Sequence, residues 1–227
     1  MRKHLKLFVL SLMVLGLVFG SATLAAAVEI ASITGQWQNP TPSSGITIDN
    51  FNPALVTARW GNPAESPWLQ SGYNFAPTAT PFTPTLGTGF VLGQFAHLNY
   101  PIYEPSLTSI QLLFNAGITG ATPATLAAAF NFSHNETPNP APDEVTVTPV
   151  PNQLFTIGSD TYYFHLMGFS QNGGISFVNQ FITAEGQTNY AFLYGEITSV
   201  PITTPEPLTL LLLGLGLVGL AGFRKRF

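Results

Sequence analysis

The side chains equipped for chemistry are few and scattered. Beyond His4 the chain carries three histidines, His97, His134 and His165, and three imidazoles are enough for an open zinc site. Their separations match no ligand spacing. On a β-rich domain a histidine serves more often as a hydrogen-bonded structural residue. His97 and Asn99, at i and i+2, share a strand face or close a turn through side-chain to backbone bonds. The densest group of hard oxygen donors lies between Asn135 and Glu144, where Glu136, Asn139, Asp143 and Glu144 stand among prolines. Carboxylate and amide oxygens are what calcium takes, so calcium is the candidate metal, although the run lacks the EF-hand order of acids and glycine. Solvated loop acids are the competing reading, and no other cofactor is expected.

Catalysis has little to build on. Two carboxylates at a suitable separation suffice for glycoside hydrolysis, and Glu104, Glu136, Asp143 and Glu185 all qualify by type, with nothing to select among them. The sequence has no G-x-S-x-G elbow, no H-E-x-x-H, no P-loop and no cysteine, so a non-enzymatic protein is expected. Trp37, Trp60 and Trp68 are either a sugar-stacking platform or core aromatics; large aromatics more often fill cores.

What must position these residues is a set of short strands. Leu126, Ala128, Phe130 and Phe132 fall on one face of a period-two segment, with Ala127, Ala129, Asn131 and Ser133 on the other. Ile110, Leu112 and Phe114 alternate with Ser109, Gln111 and Leu113 in the same way. Further strands are expected over 90–97, 145–150, 161–169, 175–184 and 189–197, with a hairpin turn at Asn172-Gly173-Gly174 and a long surface connection over the proline-rich stretch 76–85. Roughly ten half-apolar strands need a second sheet to bury their inner faces. The expected fold is therefore all-β, an antiparallel β-sandwich of jelly-roll type over 28–198. No fixed-period repeat is present.

The chain has 227 residues, of which 8% are charged, enough for one ordinary domain with short appendages. Its basic residues sit at the ends: Arg2, Lys3 and Lys6, then Arg224, Lys225 and Arg226. Between 28 and 204 only Arg59 faces ten carboxylates, a formal charge of −9 that the whole-chain value of −4 conceals. Such a surface repels phosphate backbones and has no basic stripe for counterion release, which excludes nucleic acid as a partner.

The two ends read as addresses. Residues 1–27 have a basic start, an apolar run from Leu7 to Phe19, and Ala25-Ala26-Ala27 before Val28, the layout of a signal peptide with a helical apolar region. Residues 199–204 form an extended linker. Pro205-Glu206-Pro207 then precedes an apolar stretch from Leu208 to Phe223, and Arg224, Lys225 and Arg226 follow. Sixteen residues of helix span about 24 Å, a short transmembrane segment with its basic end on the cytoplasmic side. Gly214, Gly216 and Gly219 reproduce G-x-G-x-x-G, but inside a leucine-rich span with no preceding strand they act as close-packing residues.

This order of Pro-Glu-Pro, hydrophobic helix and basic cluster resembles the PEP-CTERM sorting signal of Gram-negative bacteria, with Thr204 where valine is often found. The resemblance implies recognition by an exosortase, processing near Pro205-Glu206-Pro207, a transient stay in the inner membrane, and delivery to the cell surface or to an exopolysaccharide matrix. Extracellular polysaccharide then becomes a potential partner. The interior also resembles a known family. In order come Arg59-Trp60-Gly61, the run from Phe90 to Ile102, Asn135 to Asn139, Asp143 to Val147 and Tyr162 to Phe169. Together these resemble the choice-of-anchor K domain, or THxN family, whose Thr-His-x-Asn signature appears here as Ala96-His97-Leu98-Asn99 without its threonine. That family implies surface anchoring and no assigned biochemical activity.

Overall fold

The structure is a computed structural model and describes residues 27–148 and 152–201. The expected signal peptide, the transmembrane segment 208–223 and the sorting motif lie outside these residues. Among the described residues no helix is long and apolar enough to cross a membrane.

The chain forms β1 (Ile30–Thr41), β2 (Ile46–Asp49), β3 (Val56–Trp60), β4 (Asn62–Pro63), β5 (Ser71–Pro77), β6 (Phe90–Asn99), β7 (Ile102–Tyr103) and β8 (Ser109–Ile118). There follow β9 (Ala121–Thr122), β10 (Thr125–Asn135), β11 (Asp143–Val147), β12 (Gln153–Ile157), β13 (Asp160–Ser170), β14 (Gln180–Thr183) and β15 (Gln187–Thr198). One sheet has the order β1-β8-β10-β11-β14, the other β2-β3-β5-β6-β15-β13-β12-β9, and β4 pairs with β7 in a small ribbon. The pairings are antiparallel throughout.

The inner faces of the two large sheets meet in one core. On β8, Ile110, Leu112, Phe114, Ala116 and Ile118 point inward, and on β10 Leu126, Ala128, Phe130 and Phe132 do so, as the alternation requires. Rings from opposite sheets close the gap: Phe114 stacks on Phe164 at 5.8 Å, Phe95 on Phe132 at 5.4 Å, and Trp37 packs against Tyr73 at 5.7 Å. Each fully buried phenylalanine contributes about 1.5–3 kcal/mol relative to exposure. Trp37 and Trp60 belong to this core, whereas Trp68 is 90% exposed.

Two local expectations need correction. The segment 175–184 is a strand only over Gln180–Thr183, and that strand pairs with β11 rather than with β13. The Asn172-Gly173-Gly174 turn does form, with Ser170 Oγ accepting from the Gly174 amide at 2.9 Å and Gly173 and Gly174 at φ of 71° and 86°. After it the chain pairs with β13 at the Phe169 and Val178 bridge and then crosses to the other sheet. The proline-rich connection runs over the surface as expected and is pinned to β1, since Phe82 exchanges backbone hydrogen bonds with Ile30 at 2.9 and 3.1 Å.

Candidate functional site

At one end of the core the apolar faces continue into polar residues without changing phase. On β6 the inward series Phe95, His97, Asn99 ends in two polar side chains; on β10 Phe130 and Phe132 are followed by His134; on β11 Asp143 precedes Val145 and Val147. Strand periodicity therefore drives His97, His134 and Asp143 inward with their apolar neighbours. Since β6 and the β10-β11 pair belong to different sheets, packing brings the three together. One ligating atom from each lies within 4.8 Å of the others, and all three residues are buried.

The hydrogen bonds fix how these groups face one another. Thr183, on β14 opposite Asp143, donates its hydroxyl proton to the Asp143 carbonyl oxygen at 3.2 Å. Its oxygen then accepts from His97 Nδ1 at 2.8 Å. A hydroxyl has one proton to give, so His97 carries its own proton on Nδ1 and presents a bare Nε2. Among the described residues that nitrogen has no hydrogen-bond partner. Asn99 holds the same strand end by donating to the Thr183 carbonyl oxygen at 3.0 Å. His134 Nδ1 meets Tyr73 Oη at 2.7 Å, and its Nε2 faces Glu136 Oε2 at 3.3 Å and Asp143 Oδ2 at 3.8 Å. Asp143 Oδ1 accepts from the Thr137 amide at 2.8 Å, which leaves Oδ2 unpartnered and buried.

Aromatic rings enclose the imidazoles. Trp60 stacks on His97 at 5.9 Å and meets His134 edge-on at 5.3 Å, and Tyr73 packs against His97 at 5.1 Å. Loss of water, reinforced by His134, holds the His97 pKa well below the ordinary imidazole value, so the ring is neutral at physiological pH. Burial also raises Asp143, with Glu136 adding to the effect and the Thr137 amide and His134 opposing it. Tyr73 is pushed well above its usual value by burial first, then by Asp143 and Glu136. An acceptor left unmet in such surroundings costs about 1–3 kcal/mol.

Beside this cluster lies a surface groove of about 620 Å³, lined by Glu65, Pro101, Asn139 and the Ala184-Glu185-Gly186 turn among others. The Glu185 carboxyl is raised to about 7 by partial burial and then by Asp143, Glu136 and Glu65, with the Gly186 amide opposing. With its amide turned to donate, Asn139 Nδ2 stands 3.0 and 3.2 Å from the two Glu185 oxygens.

The four oxygen donors expected to act together are thus divided. Glu136 and Asp143 join the histidines, Asn139 turns to Glu185, and Glu144 occupies the outward face of β11. His165 is separate from the other imidazoles, bonded through Nε2 to Glu196 at 2.9 Å. Sequence reasoning passed over Thr183 and Tyr73, which orient the two rings. The available signal was phase: His97, His134 and Asp143 each extend an apolar inward series, whereas His165 falls between the inward Phe164 and Leu166.

Comparison with known proteins bears on the C-terminus. Residues 203–226 match the PEP-CTERM protein-sorting motif, the mark of an exported protein recognised by an exosortase and passed through the membrane. No curated protein matches the chain.

Proposed function

We propose that this chain is a non-catalytic protein of the cell surface or exopolysaccharide matrix, a β-sandwich delivered there by exosortase. The observation that carries the reading is the sorting motif at 203–226, placed after a strand-rich interior that ends at Thr198. The charge between 28 and 204, one arginine against ten carboxylates, keeps the exported domain hydrated and disfavours adhesion to phosphate polymers. The imidazole cluster supports a structural role, because His134 and Asp143 have no exposed side-chain surface with which to meet a substrate. Resemblance of the interior to the choice-of-anchor K domain points the same way.

A second reading is binding of, or action on, glycans. Trp68 at 90% and Tyr103 at 66% exposure offer aromatic faces, although Trp37 and Trp60 are committed to the core and a platform of all three tryptophans is not available. The Glu65 and Glu185 groove, with one carboxyl raised to about 7, is the feature that favours hydrolysis.

Mass spectrometry of the protein from cells with and without a functional exosortase tests the first reading. The expected result is a C-terminus processed near Pro205 only when the enzyme is present; an intact tail in both strains overturns it. Retention on the organism's own polysaccharide, and release of sugar from it, separate the two glycan activities.

A further inference from the structure

We propose that His97 Nε2, His134 Nε2 and Asp143 Oδ2, with Glu136 Oε2 as fourth donor, bind one zinc-class divalent transition-metal ion that ties the two sheets together. The argument rests on what faces what. His97 Nε2 and Asp143 Oδ2 are both buried acceptors without a partner among the described residues, and one ligating atom from each of His97, His134 and Asp143 lies within 4.8 Å of the others. The one hydrogen that His134 Nε2 can present, 3.3 Å from Glu136 Oε2 and 3.8 Å from Asp143 Oδ2, does not reach the bare His97 nitrogen as well, so His97 Nε2 and Asp143 Oδ2 stay unmet unless a positive ion sits between.

The outer contacts are those of metal-binding histidines, each using its second ring nitrogen on a fixed oxygen. His97 Nδ1 is bonded to the Thr183 hydroxyl and His134 Nδ1 to the Tyr73 hydroxyl. Two ligands about 2.0–2.1 Å from a tetrahedral zinc stand roughly 3.4 Å apart. His134 Nε2 already lies 3.3 Å from Glu136 Oε2 and 3.8 Å from Asp143 Oδ2, so closure asks for modest side-chain shifts. Neutral imidazole also distinguishes the ion: calcium takes oxygen ligands, whereas imidazole suits zinc, cobalt and their neighbours. Four protein donors with the imidazoles sealed under Trp60 and Tyr73 describe a closed structural site. In a chain with no cysteine, such an ion would join β6 to β10 and β11 much as a disulfide would.

The test uses the full-length chain purified in detergent, stripped with a chelator, and titrated separately with Zn²⁺, Co²⁺ and Ca²⁺. The expected result is one Zn²⁺ retained per chain and, at a hundredfold excess over Kd, a melting temperature raised by about 5–10 °C. Co²⁺ should bind likewise, and its paramagnetic NMR spectrum should show two exchangeable, shifted ring N–H protons. H97Q and D143N should lose retention while H165Q keeps it. One water donating to both His97 Nε2 and Asp143 Oδ2 is the rival occupant and predicts no response to any metal. That outcome, a response to Ca²⁺ alone, or Zn²⁺ binding unaffected by H97Q and D143N overturns the proposal. Should those variants fail to fold, the wild-type Co²⁺ spectrum decides, since absence of both ring N–H signals removes the two-imidazole site.

Discussion

His97 and His134 meet ring edge to ring face across the two sheets, centroids 5.0 Å apart and planes at 89°. Imidazole fills a core position here as phenylalanine does at the other end, where Phe114 and Phe164 lie 5.8 Å apart and nearly parallel. The difference is that imidazole nitrogens need partners once water is gone. Thr183 and Tyr73 supply one each, and the polar end of the core therefore depends on side chains from β14 and β5.

Thr183 is the more exposed of these dependencies to test, because valine has nearly its shape and no hydroxyl. Thr183→Val strands the His97 Nδ1 proton, bonded to the hydroxyl at 2.8 Å, and removes the hydroxyl's further contact to the Asp143 carbonyl oxygen at 3.2 Å. The expected cost is about 1–3 kcal/mol. Urea unfolding should show a lower midpoint at unchanged slope; a midpoint equal to wild type would mean that the hydroxyl does not orient the ring.

Phe75 is gripped from both sheets by positions without a side chain. A Cβ added at Gly35 would lie 2.6 Å from Phe75 Cδ1, and one at Gly93 would lie 2.5 Å from Phe75 Cε2 and 2.6 Å from the Ala76 carbonyl oxygen. Either alanine should destabilise by about 1–3 kcal/mol through overpacking. The two differ in rescue. Phe75→Leu should recover part of the loss in Gly35→Ala, where a ring is the chief obstacle, and less in Gly93→Ala, where backbone is struck as well. Thermal unfolding of the two double variants checks the ordering.

The same glycine explains part of what sequence reading left out. β8 and β10 are announced by alternation, as in Leu126, Ala128, Phe130 and Phe132, and with β6, β13 and β15 they appear where expected, whereas β12 was not foreseen and 175–184 forms a strand only over Gln180–Thr183. β1 is not so announced: a register shift between Ile30 and Ser32 breaks its period, and its inward series Ile33, Gly35, Trp37 includes a residue with nothing to bury. The site was legible one strand at a time, because phase alone sends His97, His134 and Asp143 inward. Their meeting was not, since it depends on which strands of which sheets face each other. Glu144 shows the limit of proximity in sequence: adjacent to Asp143, it points the opposite way.

The tryptophans divide by role, and substitution should divide them by effect. Trp60 is fully buried against Tyr73 and His97, so Trp60→Ala should cost about 3–5 kcal/mol. Trp68 stands in solvent, and Trp68→Ala should shift stability by no more than about 0.5 kcal/mol. If the exposed ring stacks on sugar, the second variant should lose retention on polysaccharide while melting like wild type. Equal retention would leave the aromatic-platform reading without support.

Glu185 gives the molecule a measurable pH dependence, whose sign follows from linkage. Its carboxyl titrates near 7 in the folded chain against an ordinary 4.5, because partial burial and the negative charges of Asp143, Glu136 and Glu65 disfavour ionisation. Between those values the folded chain holds a proton that the unfolded chain has released, so this group's contribution to stability declines as pH rises from about 4.5 to about 7. Glu185 is only partly buried, so water screens the effect to about 1 kcal/mol or less. Glu185→Gln should remove that decline, leaving the variant more stable than wild type at pH 8 and nearly equal at pH 4.5. Chelator-treated protein, unfolded in urea across this range, provides the measurement. A variant whose pH profile parallels wild type would show that the groove does not strain this carboxylate.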